Sequence, residues 1–508
     1  MTSFASIPAA QENGLRGFGG RETPTVDDAE RGRTVSQKRA VLIVGAASAV
    51  LYALTAVAQR RWLNDSADGD ASLSRLDVVV FVIATLLLFA LFAAVLRRFR
   101  SEPPSRDARI LAIVFPVVFN ALLVFVPPST SIDLLSYISH GYIATELDGN
   151  PHVDPSSGVA ATPLGAELIR YGWRPVHPAS PYGPVWTRVE AGVARLFDGV
   201  WGQLIALKLV VVAASLGSAL LIWKILGDVR PGHQFVGTLA YLWNPLIVVE
   251  VATEGHNDSL VVFFVLLALL LTIRGRASSG FGAMFLGVLT KYVPLLFVPI
   301  QLLYLWRTRA STSRFARQIA AGVAAAAILA TVLFGGLWVG SRTFDAVRAA
   351  AEPGSSGSTR TMVELAFSRI GSGTVEAIVD VAVIIAFAVF VGLAAWFVQG
   401  KDDLLRACAI VSLSYLFVAS PSYWPWYAVL PVALLAVAPM RNALLLLFAV
   451  SLGSRLAAPL DLLFVDGAFG RRVYFTATWV LAIGLPLVVA IVIRLRRSTR
   501  LAVSSSTA

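Results

Sequence analysis

The sequence predicts an all-α, polytopic membrane protein, and three observations carry that prediction. Hydrophobic residues make up 56% of the 508-residue chain and charged residues 14%, with a mean hydropathy of +0.72. Apolar runs long enough to form all or most of a bilayer span recur from end to end. The clearest are residues 41–57, 78–96, 110–126, 204–225, 260–273, 319–338, 377–398, 404–418, 443–456 and 480–493. Third, basic residues gather beside the ends of these runs, at Arg97, Arg98, Arg100, Arg106 and Arg109, at Arg274 and Arg276, at Arg307, Arg309, Arg314 and Arg317, and at Arg494, Arg496, Arg497 and Arg500. Such clusters fix orientation by the positive-inside rule. The net charge of +11 therefore reflects topology and not a nucleic-acid partner.

Each element follows from this frame. Residues 1–38 are polar and lack the short apolar core and cleavage site of a removable signal peptide, so a disordered cytoplasmic tail is expected there. The transmembrane domain is expected over 39–495, with a second cytoplasmic tail at 496–508. Tracing the chain from a cytoplasmic start places two long polar segments, 128–199 and 341–373, on the extracytoplasmic side. Residues 282–306 are flanked by Arg on both sides, yet hold only about 25 residues, enough for one span and short for two. Lys291, Tyr292 and Pro294 interrupt the middle, so a re-entrant or broken hairpin turning near Lys291 satisfies charge and length together. Both termini then come out cytoplasmic, with about twelve full spans plus that hairpin in the plasma membrane. The single Cys408 excludes an intrachain disulfide and says nothing further about compartment.

The chemistry concentrates in the polar interruption at 129–186. Asp133, Ser136, Tyr137, His140 and Gly141 recur at i, i+3, i+4, i+7 and i+8, one stripe of a helix. At the helix start Asp133 serves either as a cap, with Ser131 competing, or as a reactive carboxylate; the stripe favours the second. His152, beside Asn150-Pro151, belongs equally well to a turn. Further on, Glu254-Gly255-His256-Asn257-Asp258 falls on the same extracytoplasmic side. A cap for the apolar helix that follows needs only one of these polar residues, so the cluster exceeds that need. Lys291 in an apolar hairpin either meets an anion or cavity water, or snorkels to the interface. Arg170, Arg174 and Arg188 flank Tyr171-Gly172-Trp173 and the Tyr182–Trp186 motif, and Arg is the preferred partner of phosphate. Trp424-Pro425-Trp426-Tyr427 reads either as an interfacial anchor or as a sugar-stacking surface.

An early Asp133 is followed by Asn150-Pro151, then by Ser180-Pro181-Tyr182-Gly183-Pro184-Val185-Trp186. Asn244-Pro245, Gly255-His256-Asn257-Asp258 and Leu289-Thr290-Lys291-Tyr292-Val293-Pro294-Leu295-Leu296 complete an ordered series. The series resembles the GT-C superfamily of polyprenyl-phosphate-sugar-dependent glycosyltransferases. Within it, it is similar to the actinobacterial branch that holds the α-(1→6)-mannosyltransferases of lipomannan synthesis and glycosyltransferase family 87. The resemblance covers residues 110 to 300, with weaker support from 421–427.

The resemblance implies a GT-C-like fold and an inverting transfer of a sugar, mannose above others, from polyprenyl phosphate to a glycan or glycolipid acceptor. Asp133 would deprotonate the acceptor hydroxyl, with His140 or His256 tuning its charge. Lys291, Arg174 and His256 would face the leaving phosphate. Tyr137, Tyr182, Trp186, Glu254, Asn257 and Asp258 would contact the sugars. The family often pairs two acids where this chain has Asp133-Leu134-Leu135, which leaves the base intact and weakens a metal site. No H-x-x-x-H pair suggests zinc; no cofactor is required, although magnesium or manganese is compatible with the carboxylates. The rival is a secondary transporter or flippase for a lipid-linked or small anionic substrate, since a broken hairpin with an intramembrane lysine also builds transport sites.

Overall fold

The computed structural model describes residues 26–67, 75–174, 179–352, 356–367, 373–460, 467–492 and 494–495. Among them the regular structure is entirely helical. The N-terminal half runs α1 (Val26–Ala67), α2 (Arg75–Ser101), α3 (Arg106–Leu123), α4 (Asp133–Thr145), α5 (Pro163–Arg170), α6 (Pro184–Leu196) and α7 (Gly199–Val229). There follow α8 (Gln234–Leu242), α9 (Pro245–Val248) with a π-helical turn Val249–Thr253, α10 (Asp258–Ile273), α11 (Ala277–Thr290), α12 (Val298–Arg307) and α13 (Thr312–Phe334). The remainder comprises α14 (Asp345–Ala350), α15 (Thr359–Phe367), α16 (Gly373–Trp396), α17 (Lys401–Ser414), α18 (Val429–Val437), α19 (Ala443–Ala457) and α20 (Gly467–Trp479).

Six described helices are long and apolar enough to cross a bilayer: Thr34–Ala58, Val79–Ser101, Gly199–Val229, Thr312–Phe334, Ala377–Trp396 and Gly470–Val492. The pair Pro231–Leu242 and Pro245–Thr253, bent by 48°, makes a seventh if counted as one span. The sequence suggested about twelve. The expected runs 110–126 and 404–418, here α3 and α17, are not among the span-length helices, and the rest of the difference lies in Asp258–Ile273, Ala277–Thr290, Val293–Arg307, Pro425–Val437 and Ala443–Ala457, apolar helices of 10–17 residues. At 1.5 Å rise per residue, helices of that length fall short of the roughly 30 Å hydrocarbon core. The membrane character of the chain stands on the six long apolar helices.

The hairpin expected around Lys291 is present in altered form. α10 and α11 pack side by side, joined by a tight turn at Gly275, whose φ of +74° favours glycine. α11 ends at Thr290, Lys291 is extended at φ −156° and ψ 132°, and Pro294 opens a 3-10 turn that leads back down through α12. Proline cannot supply a helical N–H there, so the break is built into the sequence. The rising limb begins at Ala277, earlier than residue 282.

At the other end of the membrane region, α1 begins at Val26 and so occupies residues expected to be tail. The start of its span is tied down there. Gln37 Oε1 accepts the Ser105 N–H at 2.8 Å, its amide donates to Glu102, and Lys38 pairs with Asp107 at 3.2 Å. Residues 1–25 and 496–508, expected as tails, lie outside the described residues, as does His177.

The first long polar segment folds back onto the hairpin. α6 is not among the span-length helices; it packs on α4, with Gly141 so close to the Glu190 carbonyl that an added Cβ would sit 2.7 Å from it. Asn150 donates to Leu337 O at 2.8 Å, and Ser180 N–H reaches Pro151 O at 2.6 Å. The Tyr182–Trp186 motif is pinned to the hairpin tip by Gly183 N–H donating to Thr290 O at 2.9 Å. There is no room for a side chain at Gly183: a Cβ would meet Leu289 O at 2.0 Å. Because that neighbour is backbone, Gly183→Ala should cost about 1–3 kcal/mol by overpacking. The expected outcome is a lowered thermal midpoint in detergent, with Gly158→Ala, in open space, as the unaffected control.

Candidate functional site

The site begins with a decision about Asp133. At the start of α4, the Asp133 N–H donates to Ser131 Oγ at 3.1 Å, and the residue before the helix, Ile132, makes no side-chain cap. Ser131 therefore fills the local polar role. The Asp133 carboxylate is free of capping and 14% exposed. It accepts the Tyr182 hydroxyl at 3.0 Å, and His256 Nε2 lies 4.0 Å from the same oxygen, Oδ2. Burial, then the Asp133 charge, push the Tyr182 phenol well above its ordinary pKa, so it remains a donor.

His256 is placed by the bend after α9. The π-helical turn Val249–Thr253 widens the helix, Gly255 takes φ +72°, and the His256 N–H returns to Glu250 O at 3.0 Å. The imidazole, 1% exposed, then stands with Nδ1 3.1 Å from Glu250 Oε2. It stacks on Trp426 with ring centroids 4.0 Å apart and planes at 17°, and Trp426 stacks on Trp424 at 5.3 Å and 9°. Glu250 in turn holds Arg455 of α19 at 2.5 Å. Burial works to lower the His256 pKa, but the Glu250 carboxylate, with Asp133 and Asp258, outweighs it, and the value rises above 6.5.

Lys291, at the hairpin tip, reaches both oxygens of Asp258, at 3.0 and 2.9 Å. Asp258 opens α10, so this pair ties the start of one helix to the end of the next. The ammonium also lies over the rings of Tyr427 at 4.8 Å and Tyr182 at 5.8 Å, a cation–π arrangement. Asp133, Tyr182, His256, Asp258 and Lys291 are thus gathered from four separate stretches of chain.

The other expected residues divide. Tyr137 is buried and donates to the Tyr182 hydroxyl at 3.4 Å, standing behind it. Trp186, fully buried, packs edge-on against Tyr137 with centroids 5.0 Å apart, so it is a wall of the core and presents no face to a sugar. Glu254, also fully buried, accepts from Ser129 N–H and Thr130 N–H at 3.1 Å and from the Ser129 hydroxyl at 3.2 Å. It clamps the mouth of the first polar segment. Asn257 is fully buried, too, with its side-chain amide unpartnered among the described residues. Arg174 is exposed and joins none of these contacts. His140 does not turn toward Asp133: its Nδ1 lies 3.4 Å from Glu190 Oε1 on α6. Seven residues along α4 carry it about 10 Å from Asp133, into a separate buried cluster. Nearby His152 contacts Thr187 at 3.4 Å, and burial, then His140, lower its pKa to about 4.

Glu250 and Arg455 escape a motif reading because each stands alone in an apolar run. That isolation was itself the signal, since a charge in a membrane segment needs a partner. No group of three or more His, Cys, Asp or Glu side chains among the described residues is arranged to hold a metal.

The family model described as Alpha-(1->6)-mannopyranosyltransferase, N-terminal domain, matches residues 38–340. Alpha-(1->6)-mannopyranosyltransferase A of Corynebacterium glutamicum is 28% identical over 198 residues, which is 37% of this chain and 36% of that protein. An alpha-(1->6)-mannopyranosyltransferase of Mycobacterium tuberculosis is 26% identical over 159 residues, 30% of this chain and 26% of the relative. The alignment thus spans only about a third or a quarter of those curated relatives' length. The family match takes in Asp133, Tyr182, Glu250, His256, Asp258 and Lys291; Trp424, Trp426 and Arg455 lie beyond it.

The buried Arg455–Glu250 pair has a measurable signature. Removing one partner strands the other charge, at a cost of about 3–5 kcal/mol. Arg455→Met alone should therefore depress the thermal midpoint strongly, and adding Glu250→Gln should recover part of the loss. An additive double variant would mean that the two side chains do not depend on each other.

Proposed function

The chain belongs to the alpha-(1->6)-mannopyranosyltransferase family, and on that premise we propose that it transfers mannose from polyprenyl phosphate to a glycan or glycolipid acceptor, with inversion, at the extracytoplasmic face of the plasma membrane. The observation that carries the reading is the uncapped Asp133 carboxylate, which accepts the Tyr182 hydroxyl at 3.0 Å and has His256 Nε2 4.0 Å from the same oxygen.

The step follows from that arrangement. The acceptor hydroxyl gives its proton to an Asp133 oxygen as its own oxygen bonds to the anomeric carbon. The anomeric carbon–oxygen bond breaks on the opposite side, and its electron pair leaves on the lipid phosphate. Phosphate is a good leaving group, so one carboxylate suffices, whereas a retaining route would use a second as nucleophile about 5 Å away. Lys291 and His256 supply positive charge where the phosphate charge grows. Because Lys291 is already neutralised by Asp258, the donor phosphate would share that cation, not find it free. The proposed step routes nothing through a metal, and transfer is expected to persist in a chelator.

The orientation belongs to the same proposal. The basic clusters beside the apolar runs support cytoplasmic termini, and the polar side chains of the site gather at the ends of α4, α10 and α11. A transporter would place them near the bilayer midplane, so the grouping at helix ends favours the transferase.

The test measures mannose transfer from polyprenyl-phosphate mannose in membranes carrying the wild type or Asp133→Asn. The expected fall is about 10²–10⁴-fold, with the thermal midpoint preserved because the amide keeps the shape. Undiminished transfer would remove Asp133 as the base. Accumulation of substrate across the membrane with no product would favour the transporter.

A further inference from the structure

Resting on the reading of Asp133 as base, we propose that Glu250 is a positioning residue for the reaction: it acts through His256, holding the imidazolium with its Nε2 edge toward Asp133. The geometry is a line of alternating charge. Arg455 Nη1 lies 2.5 Å from Glu250 Oε1, Glu250 Oε2 lies 3.1 Å from His256 Nδ1, and His256 Nε2 lies 4.0 Å from Asp133 Oδ2. A carboxylate 3.1 Å from Nδ1 favours the doubly protonated ring, with the other nitrogen toward Asp133. Trp426, parallel to the imidazole at 4.0 Å, fixes the ring plane.

The expense of this line argues that it has a use. Arg455, Glu250 and His256 are each 2% exposed or less, and replacing a buried ion pair by well-packed apolar residues is often neutral or stabilising. A Leu or Met at these positions would fold as well without the desolvation cost. What the line provides is a cation fixed beside the base. The imidazolium stands 4.0 Å from the Asp133 oxygen that takes the acceptor proton. Arg455 supplies the counter-charge of the buried Glu250.

The charged groups around His256 are known from each packed element. Glu250 and Glu254 come from the bend after α9, Asp133 from α4, Asp258 from α10 and Arg455 from α19; Lys208 of α7 stands behind Glu254. Glu254 is engaged by Ser129 and Thr130, and Asp258 by Lys291. Among the described carboxylates, Glu250 approaches Nδ1 at 3.1 Å and Asp133 approaches Nε2 at 4.0 Å. The sign follows: removing the Glu250 charge lowers the pH at which His256 gives up its proton.

The stacked Trp426 reports on that proton independently of activity, because a protonated imidazole quenches an adjacent indole. The titration of tryptophan fluorescence in the wild type, less that of Trp426→Phe, gives the His256 midpoint; His256→Gln abolishes it. The expected wild-type midpoint lies above the ordinary imidazole value of about 6.5. Glu250→Gln lowers it by about one pH unit or more, while Glu250→Asp, which keeps the charge, retains most of the elevation. The alkaline limb of the transfer rate moves to lower pH in Glu250→Gln by the same amount. A wild-type midpoint at or below 6.5, read without any variant of Glu250, would overturn the proposal. So would an unshifted midpoint in Glu250→Gln, or a transfer rate reduced equally at all pH values. If the midpoint shifts as expected but Asp133→Asn transfers mannose normally, the charge line stands and the base assignment falls, so the two failures are distinguishable.

Discussion

The ion pair between Lys291 and Asp258 is the contact on which the rest of the site depends. A lysine at the tip of an apolar hairpin would be costly alone, and Asp258 at the start of α10 supplies its counter-charge at 2.9 Å. That pairing closes the α10–α11 hairpin at its polar end. The extended Lys291 and the proline-led turn after it leave Thr290 O available, and Gly183 takes it. The Tyr182–Trp186 motif is thereby fixed beside the hairpin, which brings the Tyr182 hydroxyl to Asp133. A chain of local necessities, each a partner demanded by a buried polar group, carries the lysine's position across to the carboxylate.

The second support comes from below. The bend after α9 places Glu250, its π-turn neighbour Glu254 and His256 within a few residues, yet sends them to different tasks. Glu254 clamps Ser129 and Thr130 and so sets where α4 starts. Glu250 joins the imidazole to Arg455 on α19, and the aromatic stack of His256, Trp426 and Trp424 presses on the ring from the side. The stack is itself held by the second polar segment, where Ser356 accepts the Tyr423 N–H at 2.5 Å and Ser358 donates to Pro421 O at 2.7 Å. Both long polar segments therefore serve one site from opposite sides.

Much of this was legible in the sequence, for reasons that differ by residue. The helical membrane architecture followed from apolar runs, and the break at Lys291 followed from basic flanks too close together and a proline in the middle. Asp133 stood out through the stripe on α4, although most of that stripe faces the interior: Ser136 receives the Trp173 indole at 3.3 Å and His140 meets Glu190. Helical spacing says which residues share a face; it does not say what that face meets. The span count was less legible, because hydropathy alone cannot separate a span from a short buried helix. Arg455 lay furthest from reach, 205 residues from Glu250 in sequence. The pairing of two lone charges in apolar runs needs the fold to reveal it. Trp186 read as a sugar platform and is a core residue, since an aromatic in a loop motif looks the same on paper in either role.

The central claim is that Asp133, His256 and Lys291 surround the bond that breaks. The most direct measurement is a structure of the full chain with a bound polyprenyl phosphate. The account predicts the phosphate within hydrogen-bond reach of Lys291 Nζ, on the side of Tyr182 and Tyr427, with His256 and Asp133 facing the position of the sugar. A phosphate seated away from the hairpin tip, against the exposed Arg174 for example, with Lys291 still closed on Asp258, would contradict it.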